Sequence, residues 1–101
     1  MEIALETGGS TVLGLLDRAD GAFATYVFAH GAGAGMRHPF MQAIAEGLAA
    51  CGVSVLRYQF PFMETGSGRP DRPGVAHQAV RAAVSYAAGL APELPLFAAR
   101  S

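Results

Sequence analysis

Tyr26-Val-Phe-Ala-His-Gly-Ala-Gly-Ala-Gly-Met-Arg-His-Pro39 is the stretch that decides how the rest of the chain is read. Its first four residues are apolar and read as the end of a buried strand. A histidine and three glycines then turn the chain, and Pro39 opens a helix, a position that proline tolerates because its missing N–H would be unpaired there anyway. Strand, glycine-rich turn and helix in that order turn backbone N–H groups toward something negative. A phosphate, an oxyanion formed during acyl transfer, or no ligand at all would satisfy the pattern.

Outward from this stretch, the chain alternates. Residues 2–6 and 11–16 are short apolar runs separated by Thr7-Gly-Gly-Ser10, a hairpin signal. A polar turn, Asp17 to Gly21, leads into a strand over Phe23–Ala29. Its unbroken apolar character predicts cover on both faces. After the loop, Phe40, Ile44 and Leu48 recur at i, i+4, i+8 with Met41 and Ala45 beside them, giving a helix with one apolar stripe. Gly52 ends that helix, and Gly47 inside it is read as a point of close packing on the sheet. Val53–Phe60 is a strand stopped by Pro61. Residues 61–74, with three prolines and three glycines, form a surface loop. A second helix runs from Val75 to Leu90 with Val80, Val84 and Ala87 on one face, and Leu96-Phe-Ala-Ala99 begins another strand. The sum is a hairpin followed by β-α-β-α-β, an α/β fold with a mostly parallel sheet and right-handed crossovers.

Composition narrows the class of function. The 101 residues make one domain at most. A hydrophobic content of 51% against 15% charged argues for a packed core and against disorder. A net charge of −1 gives no electrostatic basis for binding nucleic acid or an anionic membrane. The lone Cys51 cannot form an internal disulfide, fits a reducing compartment, and is read as a small core residue near a helix end. No signal peptide and no run approaching a membrane span is present, so the expected location is cytoplasmic. No metal spacing links His30, His38 and His77. His38 is expected to cap the helix or face solvent and His77 to lie on the surface. No cofactor is expected.

The glycine loop is then weighed against known chemistry. Gly31 and Gly33 are followed by Met36 where a dinucleotide fingerprint needs its third glycine. The Gly-Lys-Ser/Thr of a P-loop is absent. His30-Gly-Ala-Gly33 does fit the His-Gly-Gly-Gly type of loop that supplies an oxyanion-hole N–H in acyl-transfer enzymes. A glycine turn that only reverses the chain fits it equally well. In either case His30 is read as bracing the loop rather than as a base.

Ser101 adds a second feature. It stands at the carboxyl end of the strand that follows the second helix, where a nucleophile elbow sits. Of the G-x-S-x-G pattern, Ala99, Arg100 and Ser101 supply the first three positions, with alanine for the first glycine. Together with the His30–Gly35 loop, Pro39-Phe40, the Tyr58-Gln-Phe-Pro61 segment, Gly66, Pro70, Pro73 and Leu96–Ser101, this resembles the amino-terminal half of the α/β-hydrolase-fold proteins related to dienelactone hydrolases. The branch resembled also includes a regulatory subunit of the NSL acetyltransferase complex. The resemblance covers residues 10–101.

What the resemblance implies is specific. The strands should lie in the order 1-2-4-3-5, with the third and fifth as parallel neighbours. Ser101 should be the nucleophile of a serine hydrolase acting on an ester or related acyl bond through an acyl-enzyme. The loop His30, Gly31, Ala32, Gly33 should give one oxyanion donor. The family's second donor, its acid and its histidine all follow the nucleophile, so the 101-residue chain is expected to be a truncated gene product or a fragment of a longer reading frame of about 200 residues, and inactive by itself. Arg57, Arg69 and Arg72 are read as solvated surface charges or, alternatively, as a preference for anionic substrates. The expected partner is a small acyl substrate, with no nucleic acid or membrane, and self-association is expected through the unprotected fifth strand. A non-catalytic interaction module and a phosphate- or nucleotide-binding domain are the alternative functions on this fold.

Overall fold

The computed structural model describes residues 1–29, 39–60 and 73–100. The hairpin forms as the glycine pair requires. β1 (Glu2–Glu6) pairs antiparallel with β2 (Thr11–Asp17). The turn between them closes through the Thr7 N–H, which donates to the Ser10 carbonyl at 2.8 Å. Gly8 and Gly9 take φ values of +66° and +120°, conformations that cost other residues steric strain. β2 then pairs antiparallel with β4 (Val53–Tyr58) on its other side.

β3 (Ala24–Ala29) lies between β4 and β5 (Leu96–Arg100) and is parallel to both. The order is therefore β1-β2-β4-β3-β5, as the resemblance implied, in a mixed sheet with two antiparallel and two parallel ladders. The two crossovers run in opposite directions across the sheet. One goes from β3 to its neighbour β4 by way of α1 (Pro39–Ala50), and the next passes back over β3 to β5 by way of α2 (Pro73–Leu90). Right-handed connections that reverse direction put their helices on opposite faces, which is why every residue of β3 is buried or half-buried.

The larger core lies on the α2 face. Leu5, Val12, Leu16, Val27, Ala29, Leu56, Tyr58 and Phe60 form one buried cluster with Ala79, Ala83 and Ala87. These strand residues alternate with residues aimed at α1, as the period of two requires. On the α1 face Val55, Met41 and Ala45 are buried.

Both helices differ in rotation from the sequence reading. On α1 the buried residues are Met41 and Ala45, while Phe40 is 66% exposed. On α2 the fully buried stripe is Ala79, Ala83, Ala87, with Val80 and Val84 only half-buried beside it. One cause accounts for both shifts. A helix axis comes close to a sheet only where the facing side chains are small or pliable, so alanine and methionine take the line of closest approach. Gly47 is exposed and a Cβ there would meet nothing within 4 Å, so it is no point of close packing. Cys51 is exposed as well, because the turn that ends α1 carries it out of the helix–sheet interface.

That turn depends on Gly52. Its N–H bonds the Ala49 carbonyl at 3.2 Å, and its φ of +94° is the left-handed stop expected after a helix. Gly52→Ala is expected to lower stability by about 1–2 kcal/mol, the usual cost of a side chain in this region. The added Cβ would also stand 2.9 Å from the Phe23 ring, but that ring is 61% exposed and free to swing aside. Urea titration checks the figure through the transition midpoint at constant slope.

A sharper test of the helix–sheet approach compares two alanines on α2. Ala83 is 0% exposed, whereas Ala88 faces solvent. Alanine and leucine have nearly equal helix propensities. Ala83→Leu is therefore expected to destabilise by about 1–3 kcal/mol through overpacking. Ala88→Leu should stay within about 0.5 kcal/mol of the parent. Equal effects at the two positions would contradict the close approach.

Candidate active site

Three parallel strands end level with one another. Ala29 is the register partner of Tyr58 on one side and of Arg100 on the other. The carboxyl ends of β4, β3 and β5 therefore share one rim, and the chain reverses its direction of travel across the sheet between β3 and β5. In open α/β sheets this is where crevices and ligands occur. His30 follows Ala29 in the sequence and Ser101 follows Arg100.

The β4 side of the rim is held by two rings. Tyr58 and Phe60 are each 2% exposed and meet edge to face, with centroids 5.8 Å apart and planes at 69°. Alternation puts both on the α2 face, so the Tyr-x-Phe-Pro segment anchors the chain where it leaves the sheet. The sequence signal for this was present, since two aromatics spaced by two just before a proline share one face. The remaining aromatics on the rim strands face α1. Tyr26 and Phe28 pack edge to face at 5.4 Å, and Phe97 is 60% exposed.

Arg57 is not one of the solvated charges, and it is not displayed to a substrate. Its side chain is 6% exposed and its Nη2 donates to the Asp17 Oδ2 at 2.9 Å. Burial of a guanidinium requires such a partner, and β2 supplies it across the ladder. Arg69 and Arg72 lie outside the described residues, as do most of the loop at 61–74, His38, Gly66 and Pro70. The candidate residues themselves, His30, Gly31, Ala32, Gly33 and Ser101, also lie outside them. His77 is exposed on α2, as expected. Among the described residues no group of three or more His, Cys, Asp or Glu could hold a metal ion. Nor is any helix among them long and apolar enough to cross a membrane.

A hollow of about 520 Å³ among the described residues is away from this rim. It lies between the hairpin and α2, lined by Glu6, Gly8, Gln78, Arg81 and Tyr86 among others. Volume alone therefore does not select a site, and the level strand ends remain the candidate.

Comparison with known proteins places this geometry. A family model described as an alpha/beta hydrolase domain matches residues 22–99. No curated protein matches the chain. Among solved structures, XC6422 from Xanthomonas campestris, described as an a/b serine hydrolase without lid, superposes with a TM-score of 0.82 at 19% identity, over 99% of this chain and 49% of that one. Dienelactone hydrolase from Anabaena variabilis gives 0.81 at 20% identity, over 100% and 50%. Est1E from Butyrivibrio proteoclasticus gives 0.77 at 19%, over 98% and 39%. At these identities the likeness is one of fold, and the chain spans about half the length of the first two structures or less of the third. The family model covers most of the sequence, including all of β3, α1, β4 and α2, and on that ground the chain belongs to the α/β-hydrolase family.

Proposed function

We propose that this chain carries the nucleophile and one oxyanion donor of a serine hydrolase that cleaves an ester or related acyl bond through an acyl-enzyme. The observation that carries the proposal is the level register of Ala29 and Arg100 on adjacent parallel strands. Strand neighbours are separated by about 4.8 Å, so the residues that follow them would leave the sheet side by side. Ser101 would attack the acyl carbon, and a backbone N–H of the Gly31–Gly33 stretch would bind the oxygen as charge develops on it. That convergence of nucleophile and donor is the requirement for acyl transfer. Within the family, the His-Gly loop and the Tyr-x-Phe-Pro segment support an affinity with the dienelactone-hydrolase-like branch.

The acid and the histidine of the reaction belong after the nucleophile in this fold. An unassisted serine hydroxyl is a weak nucleophile, so residues 1–101 alone should not turn over substrate. The test is a fluorophosphonate probe applied to the chain within its complete reading frame and to the 101-residue chain. Labelling of the former at Ser101, and of the latter not at all, is expected. Labelling that persists after Ser101→Ala removes Ser101 from the mechanism. A complete protein that resists the probe would favour the non-catalytic reading.

A further inference from the structure

A polar hollow lies at the end of the sheet opposite the rim. It measures about 250 Å³ and sits on the α2 face, between the turn that leads from β2 to β3 and the turn that leads from α2 to β5. None of its lining residues belongs to β5, so it does not depend on what pairs with the far side of that strand. Thr25, which lines it, lies four residues before Ala29 on β3. That puts the hollow about 13 Å from the rim.

Its floor carries two hydroxyl residues side by side. Thr25 and Ser54 are register partners on β3 and β4, and alternation places both on the face of Val27 and Leu56. The Ser54 Oγ accepts the Ala19 N–H at 3.0 Å, which ties down the first turn and leaves the hydroxyl proton to donate. Thr25 is 3% exposed. Its hydroxyl has no hydrogen-bond partner among the described residues, yet it is not sealed from the surface. Buried hydroxyls seldom go without a partner, and the hollow is the space this one opens on. The second turn is fixed by the Leu94 N–H on the Ala91 carbonyl at 3.1 Å and by the Thr25 N–H on the Pro95 carbonyl at 2.9 Å. The two turns carry opposite charges. Arg18 stands on the first and Glu93 on the second, and both line the hollow. The two form no ion pair with each other.

We propose that this hollow binds a small zwitterion, of the class of a free α-amino acid with a short aliphatic side chain. The charge pattern selects that class. A ligand bearing only a negative charge is repelled by Glu93, and one bearing only a positive charge by Arg18. A dipolar ligand sets its carboxylate on the Arg18 guanidinium and its ammonium on the Glu93 carboxylate, both as charge-assisted hydrogen bonds. Bound between them, it gives the Thr25 hydroxyl the partner it lacks. Size agrees, since the hollow falls below the range of about 300–1,000 Å³ that takes drug-sized ligands. Leu16 and Leu94 in its lining offer an aliphatic patch to the ligand's side chain. Both turns are already held by hydrogen bonds, so the backbone of the site needs little ordering on binding. The inference concerns the amino ends of the strands and is independent of the hydrolase reading.

The test is a titration of the ¹⁵N-labelled chain, within its complete reading frame, with L-valine, followed by amide chemical shifts. The amides of Ala19, Thr25, Ser54 and Leu94 should shift saturably with a Kd on the order of 1 mM, modest because two exposed charged side chains must be ordered. Those of Ala29 and Tyr58 at the rim should not. Isobutylamine, which is valine without its carboxylate, and 3-methylbutanoate, which is valine without its ammonium, should each bind at least about tenfold more weakly. Arg18→Gln and Glu93→Gln should weaken L-valine by a similar factor, and Thr25→Val by about three- to tenfold. No saturable shift at about 50 mM L-valine, far above that Kd, overturns the proposal. So do shifts confined to the rim, equal binding of either half-ligand, or undiminished binding by the charge variants. Should Thr25→Val fail to fold, Arg18→Gln and Glu93→Gln, both at exposed positions, decide the matter.

Discussion

Ser101→Ala in the complete protein is expected to lower kcat for ester hydrolysis by about 10⁴- to 10⁶-fold, the range found when an activated serine is removed from a working triad. KM should change little, because the hydroxyl contributes to the transition state far more than to ground-state binding. The size of the loss is what separates mechanisms. If Ser101 only shaped the rim, truncating one hydroxyl would cost a single hydrogen bond, about 0.5–1.5 kcal/mol, which is roughly tenfold in rate. A fall of tenfold or less therefore sinks the nucleophile assignment, even if some activity is lost. Steady-state hydrolysis of a p-nitrophenyl ester, with folding checked by circular dichroism, distinguishes the two outcomes.

The second large effect is on stability. Asp17→Ala is expected to destabilise the fold by about 3 kcal/mol, the cost of removing one member of a buried ion pair. Arg57 is 5% exposed overall and cannot recover its hydration by a small movement. Asp17 is less deeply set, at 26% side-chain exposure, so the figure sits at the lower end of the range for buried pairs. Arg57→Met in the Asp17→Ala background should restore much of the loss. An apolar side chain of similar volume brings no charge to desolvate, and its stem packs as the arginine's did. Urea midpoints of the parent, the two single variants and the double variant form the needed cycle. Additive single effects would show that the pair is not coupled.

Much of the fold was legible because backbone chemistry announces itself. Gly8 and Gly9 mark a turn that needs positive φ, Gly52 marks a helix end for the same reason, and Pro39 marks a helix start. Strand order, by contrast, came through resemblance, since periodicity does not say which strands are neighbours. The helix faces were misjudged by one position each, toward Phe40 and Val80, for a physical reason. Hydrophobicity ranks phenylalanine and valine above alanine, whereas closeness of packing ranks them the other way. The Asp17–Arg57 pair was hidden because its members lie 40 positions apart, and a lone arginine in a strand looks like a surface charge. Cys51 was misplaced because cysteine's general preference for cores says nothing about a turn that points outward. The candidate site was legible only as a motif. His30, Gly31, Ala32, Gly33 and Ser101 rest on loop pattern and strand-end position, and those five lie outside the described residues.

The arrangement of ladders also sets the order in which the sheet is assembled. β1 and β2 meet across a short turn, a closure that hairpins complete in about 1–10 μs. β2 meets β4 only after a much longer loop has closed, and β5 reaches β3 only after α2 has been laid down. Loop-closure entropy must be met before each of these distant ladders returns any stabilisation. During synthesis a four-stranded sheet is therefore complete in sequence before β5 emerges from the ribosome. Among these five strands β5 comes last in the sequence, so the rim shared by β4, β3 and β5 is complete only once β5 has joined β3.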